Sequence, residues 1–240
     1  MAPPNRAIAL RANRVLPEAD FLKALHAAGK YKERSEKTHN QVHAPCLSGP
    51  PSGKIRYLLL GDSMLERFQT TGKETWLGSM QFPKLFNAGV GGDKTQNVVY
   101  RLGTKNLYSG LQERGFEVAI LHMGTNKLTP KRSLTAEVIE NYALVLEALR
   151  RIAPEAVMLV TAIHHRKDVN EALVDQSNAD LRQLVADFNE VGDDALVHFV
   201  PASLNITLDR LVDHAHLDEA AYNIFAQTLL QKLKELGLEV

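Results

Sequence analysis

From residue 55 onward the chain alternates short, nearly uncharged apolar runs with longer stretches of helical period. The runs are IRYLLL (55–60), KLFNAG (84–89), EVAILHM (117–123), AVMLVTA (156–162) and LVHFV (196–200). Runs this short, rich in aliphatic and β-branched residues, are what strands buried on both faces require. Between them the spacing predicts helices near 64–69, 94–104, 135–152, 171–190 and 218–236. In the third of these, Val138, Ile139, Tyr142, Leu146 and Leu149 recur at three and four, the period of one buried helix face, and Ser133 is placed to cap the start. Elements alternating at these lengths predict a three-layer α/β/α domain, built on a flavodoxin-like, doubly wound parallel sheet of five strands.

Residues 1–54 have a different texture. A helix is expected over Phe21–Ala28, followed by a polar stretch KYKERSEKTHNQ and then CLSGPPSGK, rich in Pro, Gly and Ser. The division expected is an N-terminal extension and linker over 1–54 and a single domain over 55–240, a size that buries a proper core. Composition changes this picture only by exclusion. With 28 basic and 28 acidic residues and a pI near 7.1, the chain has no electrostatic pull toward nucleic acid. Cys46 stands alone, so neither an internal disulfide nor a cysteine-based metal site is expected. No apolar run approaches the length of a membrane span, and the first twenty residues lack the apolar segment of a secretion signal. A cytoplasmic protein is expected; Arg6, Arg11 and Arg14 ahead of Glu18 give only a faint transit-peptide signal.

In an open parallel sheet the chemistry belongs in loops at the carboxyl ends of the strands, beside the point where strand order reverses. The four ends read LLLGDSM, FNAGVGGDKTQN, ILHMGTNKL and VTAIHHRK, and a fifth stretch, LVDHAHLDEAAY, precedes the last helix. Singly these are ordinary: Ser63 suits a helix cap, Gly92 a loop and Asn126 a cap. Together they resemble, block by block and in order, the SGNH or GDSL hydrolase family. The matching residues are Gly61-Asp62-Ser63, then Gly91-Gly92-Asp93, then Gly124-Thr125-Asn126, and last Asp213 with His216. Within that family NAGVGGDKTQNVVYRL looks most like the intracellular platelet-activating-factor acetylhydrolase catalytic subunits and their microbial relatives.

The chemistry of those positions can also be argued from residue types. A serine hydroxyl becomes a useful nucleophile when an imidazole takes its proton and a carboxylate orients the imidazole, the roles expected of Ser63, His216 and Asp213. An oxyanion needs fixed donors, expected from the Ser63 N–H, the Gly92 N–H and the Asn126 amide. His216 is preferred to His214 because it has an aspartate three residues before it and an apolar residue after it. Asp62, Lys127, His164 and His165 are further candidates for the substrate pocket, the last two equally as polar loop histidines.

A zinc hydrolase using the histidines at 164, 165, 214 and 216 is the rival mechanism, but it leaves the serine, glycine and asparagine blocks unexplained. GPPSGKI is too short for a phosphate-binding loop, GVGGDK lacks the last glycine of a dinucleotide fingerprint, and GxSxG is absent. No cofactor or metal is expected. The resulting expectation is a serine esterase working through an acyl-enzyme on a small-molecule or lipid ester. The resemblance adds a short, acetyl-type acyl group and a homodimer. An acyltransferase on the same serine, or a catalytically idle binding module, are the alternatives. Ala221 before Tyr222, where relatives often carry glycine, and Lys127 after Asn126, where Asp or Asn is frequent, are the departures from the family pattern.

Overall fold

A computed structural model describes residues 6–49, 53–192 and 195–239. Pro50, Pro51 and Ser52 of the expected linker, and the first five residues, lie outside the described residues. Five strands form one sheet: β1 (Ile55–Gly61), β2 (Leu85–Gly89), β3 (Phe116–His122), β4 (Val157–Thr161) and β5 (Val197–Val200). All pairs are parallel and the spatial order is β2-β1-β3-β4-β5, so the order reverses between β1 and β3. This is the expected doubly wound architecture.

Alternate residues of each strand serve opposite layers. Leu58 and Leu60 of β1 belong to one buried cluster with Ala119 and Leu121, whereas Tyr57 and Leu59 belong to another with Val118 and Ile120. The second cluster is covered by α5 (Ser63–Glu66) and α10 (Glu219–Glu235), through Met64, Leu65, Phe225, Leu229 and Leu233. The first is covered by α6 (Thr95–Thr104), α7 (Leu107–Arg114), α8 (Ala136–Ile152) and α9 (Glu171–Gly192). Of these α7 has no counterpart in the sequence pattern; only Leu107, Tyr108 and Leu111 bury, too short a periodic signal to stand out. Helix α8 begins after Thr135, without a side-chain cap bond, so Ser133 is not its cap.

The N-terminal region folds against this body. Helices α1 (Arg6–Val15), α2 (Glu18–Ala28), α3 (Glu33–Thr38) and α4 (Ala44–Ser48) are present, with a π-turn over His39–His43. Helix α2 packs on α6, α1 on α8 and α9, and α4 on α7. Leu10, Phe21, Leu25 and Leu47 join the same buried cluster as the sheet. A Leu25→Ala change will therefore destabilise the whole domain, by about 2–5 kcal/mol in urea unfolding, because it leaves a cavity in a continuous core.

Candidate active site

The first strand delivers Ser63 through a turn that tolerates no side chain at Gly61, where a Cβ would sit 2.0 Å from the His122 carbonyl oxygen. Asp62 then caps α5, its side chain accepting the Met64 N–H at 3.0 Å, which leaves Ser63 as the first helical residue. Amides at that position have no partner within the helix. Ser63 is 8% exposed. Asp62 itself is fully buried beneath it. Burial pushes the Asp62 carboxyl up to about 7, against the opposing pull of the Met64 N–H and the Thr125 hydroxyl.

The loop before α10 carries the partner groups. It is pinched by a bridge between Leu211 and Leu217, and Ala215 and Leu217 are buried on its inner side. Asp213 accepts the backbone N–H groups of Ala215 and His216, each at 2.8 Å, on one carboxylate oxygen. Its other oxygen lies 2.6 Å from His216 Nδ1, and His216 Nε2 lies 2.9 Å from Ser63 Oγ. Burial would raise the Asp213 carboxyl, but the two N–H donors and the His216 ring outweigh it and hold the group well below the usual carboxylate range. An ionised Asp213 keeps the proton on Nδ1, so Nε2 is free to accept from the serine. Tyr222 of α10 donates its hydroxyl to the Met64 carbonyl at 3.0 Å, tying the C-terminal helix to the turn that carries Ser63.

The candidate oxyanion donors come from the ends of three adjacent strands. Ser63 follows β1, Gly92 follows β2 in a left-handed conformation with φ +73°, and Asn126 lies in a 3₁₀ turn over Thr125–Lys127 after β3. One Asn126 amide N–H donates to the Asp93 carbonyl at 2.9 Å, which fixes the side chain and clamps the second and third strand ends together. An Asn126→Ala change is expected to lower kcat by about 10²–10³ with little change in KM, as read by steady-state kinetics on a small ester.

The remaining sequence candidates are dispersed. His164 is buried, its ring 5.8 Å from His122 in a stacked pair and 5.0 Å from Phe225. His165 bonds Asp175 at 2.8 Å. Both lie on the wall of a cavity of about 590 Å³ at the ends of β4 and β5, shared with Ile163, Phe199, Leu204 and Ile206, which does not include Ser63. His214 is exposed, whereas His216 faces the serine. The four histidines of the zinc alternative therefore do not converge, and no group of three metal-binding side chains occurs among the described residues. Lys127 is partly buried beside Asn126 and makes no ion pair among the described residues.

Several groups that hold this arrangement escaped the sequence reading. Arg166 donates to the Thr125 carbonyl at 2.6 Å, and Lys167 donates its N–H to the His214 carbonyl and its ammonium to the Leu211 carbonyl. The segment after β4 thus braces both the Asn126 turn and the His216 loop. Arg101, fully buried, bonds Asp93 and the carbonyls of Ala88 and Gly61. Its only local signal is a lone arginine among Val98, Val99 and Leu102. Replacing Arg101 by alanine will take the Oδ2 partner from buried Asp93, leaving it Lys32 and Ser35, and orphan the Ala88 and Gly61 carbonyls, at a cost of about 3 kcal/mol of stability, measurable as a lowered midpoint in urea.

Residues 59–224 match the family model for the GDSL-like Lipase/Acylhydrolase family. No curated protein matches the sequence. Among solved structures the chain is similar to a GDSL-like lipase from Bacteroides thetaiotaomicron, with TM-score 0.64 and 10% identity over 84% of this chain and 99% of the other. It is similar to a candidate platelet activating factor from Streptococcus pneumonia, with TM-score 0.57 and 18% identity over 90% of this chain and 97% of that one. It is also similar to a carbohydrate esterase family 3 protein from Talaromyces cellulolyticus, with TM-score 0.53 and 20% identity over 76% and 97%. At these identities the structures speak to the fold, and the family rests on the match along more than half of the chain. The strand-end blocks, the sheet order and that match agree: the chain belongs to the GDSL-like lipase/acylhydrolase family and is a serine hydrolase acting on ester bonds.

Proposed function

We propose that the protein hydrolyses carboxylic esters of short acyl groups, acetyl foremost, through a covalent acyl-enzyme on Ser63. His216 takes the Ser63 proton as Oγ attacks the ester carbonyl, and Asp213 holds the ring and stabilises its charged form. The negative oxygen of the tetrahedral intermediate is received by the Ser63 and Gly92 N–H groups and the Asn126 amide. His216 then returns the proton to the departing alcohol, and water repeats the sequence on the acyl-enzyme to release the acid and free Ser63. The observation that carries this reading is the unbroken chain from Asp213 through His216 to Ser63, at 2.6 and 2.9 Å. The small exposure of Ser63 favours a small acyl group, and Lys127 beside Asn126, without an ion pair among the described residues, favours a polar or anionic leaving alcohol.

The test is labelling with a fluorophosphonate, followed by peptide mapping and a panel of esters of rising acyl length. One adduct per chain on Ser63 and kcat/KM falling beyond the shortest acyl groups are expected. A folded protein that forms no adduct would remove the covalent mechanism, and a preference for long chains would remove the short-acyl assignment.

A further inference from the structure

Lys32 comes from the polar stretch ahead of α3, as the residue before that helix, in extended backbone with φ −149° and ψ 124°. Its ammonium donates to the Gly91 carbonyl at 2.7 Å and to Asp93 Oδ1 at 3.1 Å. The Gly91 carbonyl and the Gly92 N–H are two ends of one peptide unit. A cation bonded to the carbonyl oxygen draws electron density across that plane and makes the N–H on the opposite side a stronger donor. The Gly92 N–H has no acceptor of its own among the described residues.

We infer that Lys32, reaching in from the N-terminal region, is a positioning and polarising residue for the reaction: it charges the Gly91–Gly92 peptide so that the Gly92 N–H binds the oxyanion more tightly than the ground-state carbonyl. The inference rests on the proposed hydrolase reading, in which Gly92 is an oxyanion donor.

The charges around the loop are compatible with this role. Asp93 is buried and already bonded by Arg101 at 3.1 Å and by the Ser35 hydroxyl. Arg34 and Glu66, the next pair outward, meet each other at 2.9 Å. Arg101 balances Asp93 and Arg34 balances Glu66, so Lys32 brings the surplus positive charge behind the loop. Its side chain is 28% exposed, less screened than a surface lysine. A Cβ at position 92 would lie 3.1 Å from the Lys32 ammonium, so glycine there serves close approach as well as φ.

The experiment compares full-length protein with Lys32→Met and Lys32→Arg. It measures kcat and KM on p-nitrophenyl acetate, the second-order rate of fluorophosphonate labelling at Ser63, and the thermal midpoint. Lys32→Met is expected to lower kcat and the labelling rate together by about tenfold, with KM changed less than about twofold, and Lys32→Arg to restore most of both. Unchanged kcat and labelling in Lys32→Met would overturn the inference while leaving the hydrolase reading intact. So would a loss confined to KM or to the thermal midpoint. Absence of labelling in the unaltered protein would remove the hydrolase reading and the inference with it.

Discussion

Protein carrying Ser63→Ala will be folded and inert, with kcat on any ester lowered by about 10⁵–10⁶ and no fluorophosphonate adduct. The fold should survive because Asp62, not Ser63, caps α5 through the Met64 N–H. The Ser63 hydroxyl makes one side-chain bond, to His216 Nε2 at 2.9 Å, and alanine fills nearly the same space. His216→Ala is expected to lose nearly as much, and the double change hardly more than either alone, because the two groups act as one unit. Steady-state rates on the single and double variants check this. Additive losses would mean that serine and histidine serve separate steps.

Acidification will unfold the protein at or above the pH at which ordinary carboxylates titrate. Burial lowers five histidines from their free value of 6.5; four move far, His39 and His164 to about 4, His122 to about 3, and His43 further still, and His198 is lowered as well. Arg101 adds to the effect at His39 and His43, and His164 at His122. Below pH 6.5 the unfolded chain takes up these protons and the native state does not, so stability present above that pH is lost as pH falls. Each histidine contributes about 1.4 kcal/mol per pH unit. Asp62 works the other way. Its native carboxyl binds a proton from about 7 downward while the unfolded one, with an ordinary value of 3.8, stays charged, so it stabilises on acidification. The four large histidine shifts against Asp62 leave a net loss of roughly 4 kcal/mol per pH unit, on the order of 6 kcal/mol by pH 5. That rivals the total stability of a typical domain. Far-ultraviolet circular dichroism should place the acid midpoint between about pH 4 and 5.5. Native signal persisting to pH 3.5 would mean that the buried rings accept protons in place.

The sheet was legible because strands buried on both faces leave unbroken apolar runs, and all five were visible as such. Ser63 and Asn126 stood out for the opposite reason, because small or amide groups interrupt apolar patterns where strands end, and His216 because an aspartate three residues before it precedes the last helix. The supports around them were not legible. Lys32 and Ser35 meet Asp93 across 61 and 58 residues of sequence, and a contact of that span leaves no local periodicity. Arg166 and Lys167 act on backbone carbonyls, which every residue type supplies alike. In the N-terminal region the i, i+4 pair Phe21 and Leu25 made α2 legible, whereas α3 and α4 each bury a single residue, Ser35 and Leu47, and so leave no periodicity to find.

The bond from Tyr222 to the Met64 carbonyl, 158 residues upstream, joins α10 to the turn that follows the first strand. During synthesis on the ribosome the reactive hydroxyl therefore emerges long before its base. A nascent chain that has not yet reached His216 holds an unactivated serine, and ester cleavage begins only once the loop that carries the base and the helix that anchors it have been made and have met the first strand.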